Sequence, residues 1–420
     1  MTKRNMVFTG AGLFVLALLF LQIPAINSRF AWRYEVAKTY VKNVLNPVGD
    51  VPTAIPNTPS PTNLIATPSS TVNSQPFDAA QDKLSATPSP IPATATLPPL
   101  PAQALLTSPP YEKQTPNNCG PAALSMLLHM FGWSGAQKDI SDVIKPVLGD
   151  RNVNPEEMAY WVRNYAGWLR IEYRVGGDLE TLKRLVAAGY PVIIEGTTSL
   201  NPDDTGWPDD DLWAAHYLLI TGYDDAAQIF TVQDAYRGSD KQVAYQELES
   251  EWKPFNYLYM IVYLPEQEEQ LKTLLASNWD PDLNRQNSLA SSQAATVNDP
   301  ADAFAWFNMG SNLVYFERYD EANAAYDKAR ELGLPQRMFR YQFGPFLANF
   351  HGQRNDDLLA LTNYALQRTE MSEETWLWHG WALYRDGDTL KAVENWRKAL
   401  AIHPGYQDAL YALSFVGATP

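Results

Sequence analysis

An uncharged apolar run of 20 residues, from Val7 to Ile26, lies near the N-terminus of the chain. A helix of about 20 residues rises about 30 Å, which is the thickness of the hydrocarbon core of a bilayer. The run therefore predicts a membrane anchor within residues 1–28. A cleaved signal peptide is the alternative, but its apolar core is usually only about 7–15 residues long, and no small-x-small cleavage site follows this run.

A basic segment, residues 29–46, and then a proline-rich segment, residues 47–104, follow the apolar run. Of the 31 prolines, 15 lie between residues 47 and 110, mixed with Thr and Ser. Such a composition buries too little apolar surface to fold, so we predict a disordered linker. A linker of this kind favours a single-pass protein with the bulk of the chain extracytoplasmic. Basic residues flank the apolar run on both sides, so charge alone leaves the orientation of the predicted anchor open. A cytosolic spacer is the alternative.

Residues 105–265 show helical periodicity first and strand-like runs later. The strand-like runs are rich in Ile, Val, Leu and Tyr and are bounded by turn residues. They are Pro191–Gly196, His216–Tyr223, Gln228–Gln233 and Leu258–Leu264. This order predicts an α+β domain.

The last 120 residues repeat with a period near 35. Five positions recur after a shift of 70 residues, which is two repeats: Trp306, Gly310, Ala322, Tyr326 and Ala329 correspond to Trp376, Gly380, Ala392, Trp396 and Ala399. The pattern resembles tetratricopeptide (TPR) repeats, which are stacked helical hairpins. We therefore predict an all-α TPR-like domain over residues 300–420, with a degenerate middle repeat at Phe343–Leu366 and a capping helix at Gln407–Val416. Residues 266–299 are predicted as a helical connector.

Charge and cysteine content exclude several classes of function. The formal net charge is -15 and the pI is near 4.8, which disfavours nucleic acid as a partner. A single cysteine excludes an intrachain disulfide framework and a zinc site built from several thiolates. We predict no cofactor and no metal.

That cysteine, Cys119, is predicted to lie at the start of a helix. Asn117 or Asn118 can cap the helix, Pro121 suits its first turn, and apolar residues recur on one face after it. The positive end of the helix dipole favours the thiolate, which is the form that acts as a nucleophile. A small buried cysteine is the alternative interpretation.

His216 is the histidine predicted to act as the base. Of the five histidines, His129 lies ten residues further along the same helix, about 15 Å from Cys119, and the other three belong to the repeats. A turn centred on Asp225 places His216 opposite Asp234 in a hairpin, so Asp234 is predicted to orient the imidazole. Gln114 is a candidate donor to an oxyanion, together with the backbone N–H of Cys119.

These motifs together resemble the C39-like branch of papain-like cysteine peptidases. The resemblance covers about Leu105–Leu264 and rests on Q-x4-C-G-P-A-A, then H-Y-L-L-I-T-G-Y-D-D, then V-x-D. It implies that Cys119 is the nucleophile, His216 the general base and acid, Asp234 the orienting acid and Gln114 the oxyanion donor. Such families often have Asp-Pro at the third position, whereas Ala235 follows Asp234 here.

An acidic segment, Asn201–Trp213, precedes His216. It is predicted to be a solvated loop with Trp207 and Trp213 packed beneath it, the alternative being a site that favours cationic peptides. Its spacing matches no known calcium-ligand pattern.

The combined prediction is a membrane-anchored extracytoplasmic cysteine peptidase that hydrolyses peptide bonds. Its repeats are expected to bind substrate or partner proteins. Two alternatives stay open: a transpeptidase or amidase on the same fold, and a noncatalytic TPR adaptor with a vestigial peptidase domain.

Overall fold

The computed structural model describes residues 98–201 and 211–420, residues 49–55, and isolated positions between 33 and 47. The predicted anchor, Val7–Ile26, lies outside the described residues. Among the helices that are described, none has both the length and the apolar character needed to cross a bilayer. Residues 100–420 and the described positions up to residue 54 belong to one compact unit.

The first part of this unit, residues 100–264, is an α+β domain that we call the sheet domain. Its helices are α1 Cys119–His129, α2 Gln137–Ile144, α3 Pro155–Tyr165, α4 Leu179–Ala187 and α5 Tyr245–Trp252. Asn154 and Glu157 start α3 with a reciprocal capping box, and Asp178 starts α4 by accepting the backbone N–H of Thr181. The position of α1 matches the predicted start at Cys119.

The sheet domain contains a seven-stranded antiparallel sheet. Its strands are β1 Gln103–Leu105, β2 Arg170–Arg174, β3 Val192–Ser199, β4 Trp213–Asp224, β5 Ile229–Asp234, β6 Gly238–Ala244 and β7 Tyr259–Tyr263. Their order is β2-β7-β3-β4-β5-β6, and β1 pairs with β4. The four predicted strands correspond to β3, β4, β5 and β7, whereas the short or polar strands β1, β2 and β6 were not predicted.

Side chains alternate between the two faces of the sheet, so each face has its own core. Ile193, Tyr217 and Leu219 pack in one cluster with residues of α1, α2 and α3. Leu218 and Ile220 lie in the other cluster, with residues of α4 and α5. The sheet is therefore covered by helices on both faces, which holds β4 firmly in the middle.

The predicted register of the β4–β5 hairpin is wrong. The connecting turn covers four residues, 225–228, and a bulge between Ile220 and Gly222 shifts the ladder. Leu219 pairs with Gln233, so the ladder sets Asp234 opposite residue 218 instead of His216. Because residues 216 and 218 share a face, Asp234 still faces His216 as its diagonal neighbour.

Residues 265–420 are helical. The connector contains α6 Glu268–Leu275 and α7 Pro281–Asn298. Three helical hairpins and a capping helix follow: α8 Ala303–Tyr315 with α9 Tyr319–Leu332, α10 Gly344–His351 with α11 Asn355–Arg368, α12 Glu373–Arg385 with α13 Thr389–Ile402, and α14 Gln407–Phe415. The degenerate middle repeat is thus a complete hairpin.

Glycines allow the helices of the outer two hairpins to approach closely. A Cβ at Gly310 would lie 2.7 Å from the Tyr326 ring, and a Cβ at Gly380 would lie 2.4 Å from the Trp396 indole. These four residues belong to the repeated pattern. The close packing explains why the pattern combines glycine with an aromatic residue 16 positions later.

The repeats contact the sheet domain directly. Trp213 at the start of β4 stacks on Phe255 with ring centroids 5.7 Å apart, and it also meets Tyr341 of the repeats at 5.8 Å. Asn256 Nδ2 donates to Asn312 Oδ1 of α8 at 2.8 Å. Trp213 is therefore packed against Phe255 and the repeats. Residues 202–210 of the acidic segment, Trp207 included, lie outside the described residues, so the packing predicted beneath that loop stays a prediction.

Candidate active site

Cys119 is the first residue of α1, and its side chain is half-buried. Asn118 is the N-cap, but in the described part of the chain its side chain caps nothing. It donates instead to Gln137 Oε1 at 2.9 Å. Asn118 is thus the N-cap residue, as predicted, but its side-chain amide ties the helix start to α2 instead of bonding to the helix. Asn117 makes the turn into the helix with a left-handed φ of 58°.

Gln137 and Glu112 fix the loop that leads to Cys119. Gln137 Oε1 accepts the backbone N–H of Thr115 at 2.8 Å, and Gln137 Nε2 donates to Glu112 Oε1 at 3.0 Å. Glu112 Oε2 also accepts from Ser125 Oγ of α1 at 2.6 Å. These contacts hold the loop on both sides, so the thiol has a defined position. Gln137 is only 5% exposed.

His216 lies between the thiol and a carboxylate. Its Nε2 is 2.8 Å from Asp234 Oδ1, and the ring lies close enough to the Cys119 thiol for each group to shift the pKa of the other. His216 is 6% exposed and Asp234 2% exposed. Asp234 Oδ1 in turn accepts the backbone N–H groups of Tyr236 at 2.8 Å and Arg237 at 3.0 Å. The structure thus brings together three of the four predicted site residues.

The charges of these three groups stabilise one another. Burial alone would raise the pKa of Cys119, but the hydrogen bond and charge of His216 bring it below the ordinary thiol value. Burial alone would lower the pKa of His216, but its hydrogen bonds to Asp234 and Cys119 raise it to about 10. The pKa of Asp234 is lowered, since the His216 contact outweighs the effect of burial. The three shifts all favour the charged forms, which are thiolate, imidazolium and carboxylate.

Gln114, the fourth predicted residue, lies beside the end of β5. Its backbone N–H donates to Ala235 O at 2.9 Å, next to Asp234. Its side-chain Oε1 is buried and finds no hydrogen-bond partner among the described residues. The contacts place the residue at the edge of the site, and its oxyanion role stays a prediction.

A small cavity of about 130 Å³ opens beside the imidazole. Its walls include His216, Asp234, Thr198, Arg237 and Glu251. Arg237 Nη2 donates to Thr198 Oγ1 at 2.9 Å. The imidazole of His216 therefore borders a cavity that is lined largely by polar side chains.

Residues 106–260 match the model of the Peptidase_C39 like family. This part of the chain, which lies within the sheet domain, is similar to C39-like peptidases, and we call it the C39-like domain. The resemblance stated from the sequence is thereby confirmed. No curated protein matches the chain.

Solved structures similar to this chain include peptidases and a repeat protein. Xylellain, a cysteine protease from Xylella fastidiosa, is 14% identical with a TM-score of 0.30, covering 40% of this chain and 87% of its own. The peptidase domain of Streptococcus ComA, a bi-functional ABC transporter, is 12% identical with a TM-score of 0.30, covering 38% and 99%. YrrB, a TPR protein with an unusual peptide-binding site, is 19% identical with a TM-score of 0.20, covering 34% and 89%.

Three residues near Cys119 were missed by the sequence analysis. The backbone N–H of Tyr217 and the charge of Lys145 both help to lower the pKa of the thiol. Lys145 Nζ donates to Asn117 O at 2.5 Å and to Asp150 O at 2.7 Å. Glu195 is buried close to the Tyr217 side chain, and burial raises the pKa of Glu195 well above the ordinary value. Tyr217 follows His216 directly, but no local pattern marks Lys145 or Glu195.

Buried acidic residues gather where the C39-like domain meets the third repeat. Glu374 Oε1 of α12 accepts from Asn154 Nδ2 at 2.8 Å, and Glu373 Oε1 is 3.0 Å from His403 Nδ1. Burial raises the pKa of Glu373 to about 8. Burial, followed by repulsion from neighbouring carboxylates, raises the pKa of Glu157 and of Glu374 well above the ordinary value. We call Asp150, Glu157, Glu373 and Glu374 the interface acids.

One group of described side chains can hold a metal ion. Ligand atoms of Glu157, Glu373 and His403 all lie within 4.8 Å of one another. Imidazole and carboxylate together suit divalent transition metals. This group lies at the domain interface, so the chemistry considered for Cys119 does not involve it.

Proposed function

We propose that this chain is a peptidase that cleaves peptide bonds through an acyl-enzyme on Cys119. The observation that carries the proposal is the position of His216, which lies close to the Cys119 thiol and contacts Asp234 through Nε2. A cysteine nucleophile needs this arrangement of base and orienting acceptor. The match of residues 106–260 to the C39-like family supports the same reaction class.

In the proposed acylation step, the Cys119 thiolate attacks the carbonyl carbon of the scissile bond. The imidazolium of His216 gives its proton to the leaving amine as the C–N bond breaks, which leaves a thioester on Cys119. In the second step, neutral His216 takes a proton from water, and the resulting hydroxide attacks the thioester. The thiolate leaves, and the product is a free carboxylic acid. Asp234 keeps the imidazole oriented throughout.

Stabilisation of the oxyanion is proposed to come from the start of α1. The first amides of a helix have no partner within the helix, and the N–H of Cys119 is one of them. Gln114 is the proposed second donor, through its side-chain Nε2. Its place beside Ala235 supports this role, because that loop carries on directly from Asp234.

The proposal also covers the rest of the chain. We assign the apolar run at residues 7–26 to a single-pass anchor and the chain that follows it to the extracytoplasmic side, on the basis of composition.

The TPR-like repeats are assigned to the binding of peptide or protein partners, substrates included. Their direct packing against Trp213, three residues before His216, supports a link between that binding and the site.

The test uses the purified full chain with an electrophilic thiol probe and a fluorogenic peptide library at neutral pH. We expect rapid labelling and turnover in the parent chain. Cys119→Ala should lose both, and His216→Ala should lose turnover by at least about 10²-fold. His351→Ala, which changes a histidine of the repeats, is the matched control and should leave both unchanged. Full turnover in either site variant would refute the proposal, and amine-dependent product instead of free acid would reassign it to transpeptidation.

A further inference from the structure

A short extended segment of the chain, residues 49–54, lies against the repeats. Val51 at its centre is 6% exposed and belongs to the apolar cluster of the first two repeats, which also contains Leu334 and Met338. The neighbouring side chains of Asp50 and Thr53 are exposed. Val51 is therefore the side chain of this segment that the repeats bury, while Asp50 Oδ1 accepts from Gln336 Nε2 at 3.4 Å.

Side chains of the repeats bind the backbone of this segment. Arg330 donates through Nε to Pro52 O at 2.7 Å and through Nη2 to Thr53 O at 2.8 Å. Tyr364 Oη donates to Gly49 O at 3.1 Å. All three acceptors are backbone carbonyls, which every peptide offers. The contacts therefore resemble recognition of an extended peptide, with backbone bonds for affinity and one pocket for selectivity.

The binding groove is held in place by the repeats themselves. Arg330 of α9 is 3% exposed, and its Nη1 and Nη2 each lie 3.1 Å from Asp357 Oδ1 of α11. Arg354 Nη2 donates to the other oxygen of Asp357 at 2.5 Å. The ion pairs orient the guanidinium, so its remaining donors point at the segment. A buried guanidinium whose donors lack acceptors costs free energy, so this groove favours an occupant.

Charge complementarity holds the chain just before this segment. Lys42 Nζ lies 2.7 Å from Glu370 Oε1, in the loop between α11 and α12, and Lys38 Nζ lies 3.8 Å from Glu370 Oε2. The chain therefore contacts the repeats first through these two lysines and then through residues 49–54. Residues 49–54, near the start of the predicted linker, are thus docked on the repeats.

We propose that the face of the repeats formed by Arg330, Tyr364 and the Val51 pocket is a peptide-binding groove, and that residues 49–54 of the same chain are its resting occupant. The groove takes an extended backbone with a small β-branched apolar residue followed by proline. An intramolecular ligand acts at an effective concentration of about millimolar, so it keeps weaker peptides out. A partner peptide must displace it. This inference rests on the proposed partner-binding role of the repeats and not on the peptidase chemistry.

The test compares full chains for binding of a fluorescent peptide with the sequence of residues 47–56, by anisotropy. The parent chain should bind it at least about tenfold more weakly than Val51→Asp, because a buried charge releases the internal segment and opens the groove. Thr53→Asp adds the same charge at an exposed side chain and should behave like the parent. A chain with residues 49–54 replaced by glycine and serine opens the groove by a second route. In the Val51→Asp background, Tyr364→Phe should weaken binding about fivefold through loss of one hydrogen bond.

Several outcomes would overturn the inference. Equal binding by the parent and the opened chains would mean that the segment does not occupy the groove, and absence of binding to both opened chains would mean that the groove is no peptide site. A parent dimer that dissociates on opening would assign the occupant to a second copy of the chain. Labelling of Cys119 by the thiol probe should be the same in all these variants, which separates this test from that of the proposed peptidase.

Discussion

Two clusters of buried ionisable groups lie in one compact unit, and the pKa values of their acids shift in opposite directions. At the candidate active site, the pKa of Cys119 and of Asp234 is lowered. At the domain interface, the pKa of Glu157, Glu373 and Glu374 is raised. In the first cluster, the imidazole of His216 lies between two acids and supports both negative charges. In the second, carboxylates crowd one another. Burial makes every charge costly, and the partners decide whether it is kept or neutralised by a proton.

The largest expected effect comes from removing the shared partner. His216→Asn should leave the thiol buried without its stabilising charge, so the pKa of Cys119 should rise above its ordinary value of 9.0. Alkylation of the thiol at pH 7 should slow by at least about tenfold. The pH dependence of iodoacetamide labelling measures this. His351→Asn is the control and should leave the profile unchanged; a profile that stays the same in His216→Asn would mean that the imidazole does not sustain the thiolate.

Removal of the outer carboxylate should separate reactivity from catalysis. In Asp234→Asn the contact between His216 and Cys119 is kept, but the imidazole loses the acceptor that orients it. Turnover should fall by about 10²-fold or more, while thiol alkylation at pH 7 should fall by less than about tenfold. Asp240→Asn, on the next strand and exposed, should affect neither rate. Equal losses in both assays would show that Asp234 acts mainly on the thiolate.

The interface acids predict a pH dependence of stability with a defined sign. Glu373 has its pKa raised from 4.5 to about 8, so between these values the folded chain holds a proton that the unfolded chain releases. The free energy of unfolding should therefore fall as the pH rises from about 5 to 8. Glu373→Gln, which cannot ionise, should reduce this fall by on the order of 2 kcal/mol.

Urea unfolding at pH 5 and at pH 8 gives the measurement. Glu331→Gln, an exposed change in the same repeat domain, should keep the parent slope. A slope that is equally steep in Glu373→Gln would place the responsible protons on other groups.

The smallest expected effect concerns Lys145, which lies between the two clusters. Its charge favours the Cys119 thiolate, and its Nζ donates to Asp150 O at 2.7 Å. Lys145→Met should slow alkylation of the thiol at pH 7 by about two- to threefold, because the contribution of Lys145 is smaller than that of His216. Lys138→Met, on the exposed face of α2, is the control. An unchanged labelling profile in Lys145→Met would show that the two clusters are electrostatically independent.

The site could be predicted from the sequence where local patterns decide the structure. The helix start at Cys119 follows from its flanking residues, and β4 and β5 follow from their apolar runs. The contact between His216 and Asp234 was predicted correctly, but the register of the β4–β5 hairpin on which that prediction rested is wrong. The four-residue turn and the bulge near Gly222 each shift the ladder, and neither has a local sequence signal strong enough to fix it.

Other parts could not be predicted because they depend on long-range contacts. Gln137 holds the loop before Cys119 from 18 positions away, and nothing in its own segment marks it. The interface acids come from segments more than 200 residues apart in the chain, so their shared burial appears only when the repeats pack on the C39-like domain. The docking of residues 49–54 has the same cause, since composition alone predicted a linker there.

The candidate nucleophile is the only sulfhydryl that the sequence contains. If an oxidant converts it to a sulfenic acid, no second thiol of the chain can condense with it to form a protective disulfide. Recovery then requires a small reductant or another protein from outside, so the redox state of the surroundings would control how long such an enzyme stays competent.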